Sequence, residues 1–291
     1  MSDGFLVVDK APGMTSHDVV AVARKALGTR KVGHAGTLDP MATGVLVLGF
    51  GNGTRLLQYI TDGDKSYAAT IVLGASTVTD DREGEVISEV DASKVTDDQI
   101  KSGLAKMIGE IQQRPSSVSA VKVDGERAYD RVRAGEVFEL AARTITISSL
   151  EILEIRRTGS RIEIDIDVTC SAGTFIRAIA RDLGSDLQVG GHLSVLRRTR
   201  VASFPISQAI SFEDLKAQTF SPLELADVAR ATFQVRELGL DEVLELSFGR
   251  PLTSNSSDQI FAALSPDDRL LALLNNESGK AKPIAVFAAA N

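Results

Sequence analysis

The sequence predicts an α+β fold with a mixed, mostly antiparallel sheet flanked by helices and loops. Residues 161–170 alternate strictly between apolar and polar side chains, as in a strand with one buried face. Apolar stripes with helical spacing occur between such strands, for example at 16–27. Hairpin-like loops with turn residues separate several of the strands. Strands that recur with interspersed helices and hairpin loops are typical of the α+β class.

The elements of the first two-thirds follow from local patterns. GFLVVDKAPGMTS predicts a strand, a Pro-Gly turn and a helix that begins near Ser16. VLVLGF predicts a buried strand, 54–60 a helix, and SYAATIVLG a further strand. Residues 112–135 have turn residues at each end and short strand and helix patterns between. Two amphipathic helices are predicted, one over 96–110 with Ile100, Leu104, Met107 and Ile108 inward, and one after SAGTF with Ile176, Ile179, Ala180, Leu183 and Leu187.

The pattern changes after Pro205. A helical connector, SFEDLKAQ and then PLELADVARA, leads into roughly sixty residues of short strands and turns, which predict a small β-rich barrel or sandwich. We place the domain boundary within 225–233, and therefore predict domains 1–228 and 229–291.

Composition favours a soluble, cytoplasmic protein. Hydrophobic residues make up 43 % and charged residues 24 % of the chain, which is ordinary for a globular protein. The single Cys170 rules out an internal disulfide and fits a reducing compartment. No basic-plus-apolar pattern typical of a signal peptide appears at the N-terminus, and no apolar run reaches the ~18 residues of a membrane span. The three histidines are scattered, so we expect no metal site.

Charge leaves nucleic acid open as a partner. The formal net charge is −7, and residues 206–291 are acidic, with 12 Asp+Glu against 7 Lys+Arg. Basic residues nevertheless cluster in two places, at Arg24, Lys25, Arg30 and Lys31 and at Arg197, Arg198 and Arg200. Such clusters are of the kind that tracks a phosphate backbone, although charge runs are usually solvated surface.

The segment 32–51, VGHAGTLDPMATGVLVLGFG, is the strongest candidate for a functional loop. Gly33, Gly36 and Gly44 bracket a polar loop that contains His34 and Asp39 and leads directly into a buried strand. Such a loop can hold Asp39 rigidly at a cleft. The same residues permit a simpler interpretation, in which Asp39 caps a helix with Pro40 at its first position. The pattern lacks either glycine-rich phosphate-binding motif.

Several separated stretches together resemble one family. DKAPGMTS, GHAGTLDPMATGVL, DKSYAATIVLG, SSVSAVKVDGERAY and CSAGTFIRAIARDLG are similar, in order and spacing, to the bacterial tRNA pseudouridine synthases of the TruB type. The resemblance covers about residues 4–204, and the C-terminal segment is more weakly similar to PUA-like domains. It implies the pseudouridine synthase fold and isomerisation of the uridine at position 55 in the T-loop of tRNA.

The reaction and the resemblance together indicate site residues. Nothing is oxidised, reduced or added when uridine becomes pseudouridine, so we expect no cofactor. The resemblance implies that Asp39 is the catalytic carboxylate and that Arg177 pairs with it; a cation favours an ionised acid in a dry pocket. A base in folded RNA must be flipped out before its glycosidic bond can be reached. The family tyrosine that stacks on that base corresponds to Tyr67.

The resemblance implies further substrate contacts. His34 matches the histidine near the flipped nucleotide, and Leu196 corresponds to a pocket leucine. Phe175 stands where many relatives carry tyrosine, so apolar contact is kept and a hydroxyl contact is lost. Lys10 either supports the loop or contacts phosphate. We expect the T-stem-loop of tRNA as the partner and a monomeric protein.

Three other functions compete with this one. The same chemistry on another RNA is performed by guide-RNA-dependent relatives, which usually carry longer basic tails that this chain lacks. A non-catalytic RNA-binding or tRNA-folding module is disfavoured by the presence of Asp39, Tyr67 and Arg177 together. A carboxylate hydrolase needs a second positioned acid. Asp80 or Asp81 would supply one, but TDDREG is more simply interpreted as a turn.

Overall fold

A computed structural model describes residues 3–116 and 140–287, together with the backbone of two short strands at 122–123 and 126–127. Most of the motif SSVSAVKVDGERAY, and with it the larger part of the predicted 112–135 segment, lies outside the described residues.

The described elements run through the chain as follows. The first part contains β1 (Gly4–Lys10), α1 (Ser16–Leu27), β2 (Val32–His34), β3 (Thr43–Phe50), α2 (Leu57–Thr61), β4 (Lys65–Leu73), β5 (Ala75–Thr77), β6 (Val86–Glu89), α3 (Asp97–Ala105), β7 (Gly109–Gln113), β8 (Lys122–Val123) and β9 (Glu126–Arg127). The second part contains β10 (Arg143–Thr158), β11 (Arg161–Cys170), α4 (Ile176–Asp186), β12 (Gly191–Val201), β13 (Phe204–Pro205), β14 (Ile210–Ser211), α5 (Phe212–Ala217), α6 (Leu225–Thr232), β15 (Gln234–Glu237), α7 (Leu240–Ser247), β16 (Leu252–Thr253), β17 (Phe261–Leu264), β18 (Leu270–Glu277) and β19 (Lys280–Val286).

One large sheet organises most of the molecule. Its strand order is β14-β1-β3-β12-β4-β11-β10-β7, with β2 added to β3 and β13 to β12. The pairs β1–β14 and β3–β12 are parallel, and the other pairs along this path are antiparallel. The predicted α+β class with a mixed, mostly antiparallel sheet is therefore confirmed.

The clearest predicted strand is confirmed as β11. Its even-numbered apolar residues, from Ile162 to Val168, are buried, while Glu163 and Asp167 on the other face are exposed. The buried face packs against α3 and α4 within one hydrophobic cluster. This side of the sheet provides the rigid support beneath the loops that carry the candidate site.

The helix α1 begins at Ser16, as predicted. Thr15 and Asp18 form a reciprocal capping box, and Gly28 ends the helix in the left-handed conformation. Val19, Val20 and Ala23 are buried against the sheet. The N-terminus of α1 therefore has a fixed position beside the Asp39 loop.

Two helix predictions needed correction. The helix predicted over 96–110 ends at Ala105, because Gly109, with φ +99°, starts β7 and turns the chain out of the helix. As a result Ile108, predicted to point inward, is exposed, while Met107 is buried. The helix predicted at 54–60 is divided into a 3₁₀ turn, Gly51–Arg55, and the short α2.

The C-terminal part is β-rich, as predicted, and forms a five-stranded sheet in the order β15-β17-β18-β19-β16. The sequence did not predict α7. This sheet does not have a wholly separate core: Ala262, Leu264 and Leu273 belong to the same buried cluster as Phe5 and Val47 of the large sheet. Among the described residues, none of the helices combines the length and apolar character that a membrane span requires.

Candidate active site

Asp39 lies in a tight turn and not at the start of a helix. The Ala42 N–H donates to the Asp39 carbonyl at 3.1 Å, and β3 begins one residue later at Thr43. The helix-cap interpretation of Asp39-Pro40 is therefore wrong. The carboxylate of Asp39 is directed to a partner far away in the sequence.

The turn is fixed on both sides of Asp39. The Ser16 hydroxyl accepts from the Leu38 N–H at 2.9 Å, which joins the turn to α1. On the other side, the Lys10 ammonium donates to the carbonyls of Ala11, Met14 and Pro40 at 3.1, 2.7 and 3.2 Å. These contacts hold the backbone of the turn against two elements of the core.

Of the two roles expected for Lys10, the structure favours support of the loop. Its side chain is fully buried, and its three hydrogen bonds all go to backbone carbonyls. Burial lowers the pKa of Lys10 to about 8, and the nearby charge of Asp39 opposes that shift. A phosphate contact finds no support in this geometry.

Arg177 holds the Asp39 carboxylate. Its Nε lies 3.0 Å from Asp39 Oδ2, and its Nη2 donates to Oδ1 at 3.2 Å. Arg177 is only 4 % exposed, whereas the Asp39 side chain is 36 % exposed. Arg177 is thus a buried cation that holds the carboxylate of Asp39 in a fixed orientation, facing the solvent.

Arg177 is itself held by a second acid, which sequence reasoning did not assign. Its Nη1 donates to the Thr79 carbonyl at 2.6 Å and lies 3.6 Å from Asp81 Oδ2. Asp81 is buried and also accepts from the Thr79 hydroxyl and the Glu83 N–H. Asp81 therefore anchors the arginine from within its turn, and this geometry does not favour a role as the second acid of a hydrolase.

A cleft of about 510 Å³ opens beside Asp39. Tyr67, Phe175 and Leu196 line it, as do Asp39 and Arg177, so the structure brings five of the predicted site residues together. Burial raises the pKa of the Tyr67 hydroxyl, and Arg198 opposes this shift without cancelling it. Tyr67 is thus a neutral hydroxyl at neutral pH.

His34 is the last residue of β2 and is not among the residues that line the cleft. Its ring meets the ring of His17 edge to face, with centroids 5.7 Å apart. Burial lowers the pKa of His34 to about 4, so the imidazole is neutral at neutral pH.

The arginine side chains of the basic cluster at 197–200 bind other groups of the protein. Arg198 is buried and donates to the carbonyls of Val45, Gly36 and Thr37, while Arg197 pairs with Asp9 at 2.6 Å. Arg200 donates to the Ala202 carbonyl and the Ser66 hydroxyl. The expectation that this cluster tracks a phosphate backbone is not supported, because its guanidinium groups are engaged in the fold.

Lys65 is a further buried cation at the cleft. It donates to the carbonyls of Thr61 and Gly63 at 2.7 and 2.8 Å, and burial lowers its pKa to about 8. The motif DKSY contains it, but no local pattern distinguishes this lysine from a solvated one. Among the described residues, no group of three or more His, Cys, Asp or Glu is placed to hold a metal ion.

Residues 24–176 match the family described as TruB family pseudouridylate synthase (N terminal domain). The chain belongs to the TruB family of pseudouridylate synthases. Two C-terminal families of TruB enzymes also match, tRNA pseudouridylate synthase B C-terminal domain at 177–243 and tRNA Pseudouridine synthase II, C terminal, at 233–288. This TruB-family chain is therefore an enzyme.

Curated relatives of this TruB chain match along its full length. A protein of Arthrobacter sp. (strain FB24) named tRNA pseudouridine synthase B is 52 % identical over 100 % of this chain and 98 % of its own. A protein of the same name from Thermobifida fusca (strain YX) is 48 % identical over 99 % of each chain.

Solved structures agree on the fold of this TruB chain. A Cbf5-Nop10-Gar1 complex matches with a TM-score of 0.71 and 26 % identity, over 98 % of this chain and 84 % of the other. An H/ACA RNP bound to a substrate RNA containing 2′-deoxyuridine matches with a TM-score of 0.73 and 23 % identity, over 99 % and 86 %. The expected pseudouridine synthase fold is confirmed.

Proposed function

We propose that this enzyme isomerises uridine to pseudouridine at position 55 in the T-loop of tRNA, with Asp39 as the catalytic carboxylate. The relatives named tRNA pseudouridine synthase B support tRNA as the substrate. The observation that carries the proposal is the contact of the buried Arg177 with a carboxylate that remains accessible at the cleft. Tyr67 at the same cleft supplies the aromatic face for a flipped uracil.

The chemistry requires a carboxylate and no external reagent. The bond from C1′ to N1 breaks, a bond from C1′ to C5 forms, C5 loses a proton and N1 gains one. Asp39 acts by covalent addition at C1′ or C6, by stabilising positive charge at C1′, or by way of a glycal intermediate, and it then accepts the C5 proton. Arg177 orients the carboxylate through these steps, and Tyr67 stacks on the uracil while the base rotates. Phe175 and Leu196 enclose the base, whereas His34 does not line the cleft and is given no contact with the base.

Substitution of the acid tests the proposal. We expect Asp39→Asn to lower the rate of pseudouridine formation in a T-stem-loop transcript by at least about 10³-fold, because the amide can neither add nor accept a proton. RNA binding should be largely kept. The control is Asp258→Asn, which removes an exposed acid of the C-terminal part. Turnover by Asp39→Asn at the wild-type rate would remove Asp39 from the mechanism.

The position modified is tested separately. Unmodified total tRNA is incubated with the enzyme, and pseudouridine positions are mapped afterwards. We expect new pseudouridine at position 55 and a transcript with U55 replaced by cytidine to be inert. Modification elsewhere, with U55 untouched, would contradict the proposed substrate and leave the family assignment intact.

A further inference from the structure

Gln113 makes an unusual contact at the edge of the large sheet. It is the last residue of β7 and is only 2 % exposed. Its Oε1 accepts from the Phe175 N–H at 2.8 Å, and its Nε2 donates to the Phe175 carbonyl at 3.0 Å. A side-chain amide offers one acceptor and one donor group, and here both are used on the backbone of one residue.

Phe175 depends on this contact, because the start of α4 lacks a side-chain cap of its own. The loop before it is joined to β10 where Ser171 and Thr146 exchange hydrogen bonds of 2.8 and 2.9 Å. Gln113 supplies the second attachment. The position of Phe175 in the wall of the cleft is thus fixed by contacts with β7 and β10.

Arg143 contacts the aromatic ring of Phe175, whereas Gln113 contacts its backbone. It is the register partner of Gln113 in the β7–β10 pair, and its guanidinium carbon lies 5.4 Å from the centre of the Phe175 ring. We propose that Gln113 and Arg143 are positioning residues that fix Phe175 as a wall of the cleft and so control capture of the flipped uridine. We call these three residues the Phe175 clamp. This inference rests on the proposed function.

The clamp acts on capture of the base and not on the chemical step. Arg177 follows Phe175 by two residues, but it is independently anchored by the Thr79 carbonyl and Asp81. Loss of Gln113 therefore releases the Phe175 wall while the contact of Arg177 with Asp39 is kept. KM should rise, and kcat should be largely retained.

The test compares two adjacent glutamines. Gln113→Leu removes both contacts with Phe175 at similar volume. Gln112→Leu is the matched control, since Gln112 is exposed on the opposite face of β7 and its side-chain amide donates to the Thr144 hydroxyl at 2.7 Å. For a T-stem-loop substrate we expect Gln113→Leu to raise KM about ten-fold with kcat within about two-fold, and Gln112→Leu to match the wild type. Arg143→Met should also raise KM.

Combination with Phe175→Ala separates positioning from a general loss of stability. If both residues act through Phe175, Gln113→Leu and Arg143→Met should have little further effect on KM in the Phe175→Ala background. Additive effects in that background would overturn the clamp, as would a Gln113→Leu enzyme that behaves like Gln112→Leu. If Arg143→Met weakens the salt dependence of KM in the Phe175→Ala background as well, Arg143 contacts a phosphate of the RNA. That result would overturn the proposal.

Gln113→Glu provides a second variant should Gln113→Leu fail to fold. A buried glutamate has a raised pKa, and its protonated form restores a donor to the Phe175 carbonyl. Its KM defect should therefore shrink as the pH is lowered from about 8 to about 6, relative to wild type. An unchanged defect would contradict the clamp. A wild-type enzyme inactive on the T-stem-loop would instead contradict the proposed function.

Discussion

Among individual residues, Tyr67 allows two effects at the cleft to be measured separately, that of its aromatic ring and that of its hydroxyl. It is buried in β4, directly opposite Arg198 in the pairing with β12, and its hydroxyl is neutral at neutral pH. We expect Tyr67→Phe to keep the aromatic face and to lower kcat alone. Tyr67→Ala should also raise the Kd for RNA, by about ten-fold or more, because base stacking on an aromatic ring is lost. Single-turnover kinetics and RNA binding distinguish the two.

A control for these variants is Tyr59→Phe. Tyr59 lies in α2 and contacts Phe233 edge to face, with centroids 5.0 Å apart and away from the cleft. Its kinetics should match the wild type. Equal RNA affinity for Tyr67→Ala and wild type would argue against stacking by Tyr67.

His34 predicts a pH dependence of stability. Its pKa is lowered from 6.5 to about 4 by burial, so between these pH values the unfolded chain binds more protons than the native one. The free energy of unfolding should therefore fall as the pH falls through this window, by at most about 3 kcal/mol. Urea unfolding at about pH 7 and about pH 5 measures it.

The matched variants are His34→Gln and His17→Gln. His34→Gln should remove this part of the acid sensitivity, whereas His17→Gln changes the exposed neighbour and should keep most of it. The same drop in stability in His34→Gln as in wild type would show that other groups cause it.

At this scale the sequence indicated the residues that line the cleft better than the residues that support them. Asp39, Tyr67 and Arg177 were found through motifs, although 138 positions separate Asp39 from Arg177. The role of Asp81 was missed because its partner is a distant arginine. Arg198 was misjudged because it donates to backbone carbonyls of distant residues. Such contacts leave no local pattern, since they depend on how β12 and the 79–81 turn meet in space.

At the level of elements, regular periodicity was reliable and interruptions were not. The alternation of 161–170 and the capping residues around 15–28 predicted β11 and α1. The helix over 96–110 was predicted too long, because a stripe of apolar residues continued past the true end at Ala105 into β7. Pairing with β10 makes the segment after Ala105 a strand, and that pairing exists only in the folded sheet.

The parallel pairing of β3 with β12 gives a sharp prediction about Gly44. Its φ is +99°, and a Cβ there would lie 2.2 Å from the Arg198 carbonyl oxygen. Gly44→Ala should therefore lower the free energy of unfolding by about 3 kcal/mol or more, since a backbone clash adds to the cost of a left-handed conformation. Chemical denaturation gives the value.

Gly159→Ala is the control for conformation alone. Its φ is +60°, and an added Cβ would meet nothing within 4 Å. We expect a loss of about 1 kcal/mol for this variant. Similar losses for Gly44→Ala and Gly159→Ala would mean that β3 and β12 separate easily at this point.

For the whole molecule, the shared core argues that the two sheets unfold together. Leu273 is fully buried in β18 and belongs to the cluster that also contains Phe5 and Val47. We expect Leu273→Ala to cost about 2–5 kcal/mol and to shift one common calorimetric transition. Leu240→Ala, at a residue 78 % exposed on α7, is the control and should change stability by less than about 0.5 kcal/mol.

A separate, low-temperature transition in Leu273→Ala, with the main one unmoved, would show that the C-terminal sheet unfolds alone. The predicted boundary between 1–228 and 229–291 would then also mark a unit of stability. Because the two sheets share this core, deletion of 229–291 should expose the apolar cluster and yield an insoluble protein.

The attachments around Asp39 also decide what moves during turnover. Ser16 and Lys10 hold the backbone of its turn, and Arg177 holds its carboxylate, each from a different element of the fold. A group fixed from three directions has no freedom to follow a rotating base. In the proposed mechanism, the rotation that exchanges N1 for C5 is therefore made by the uracil against a stationary acid.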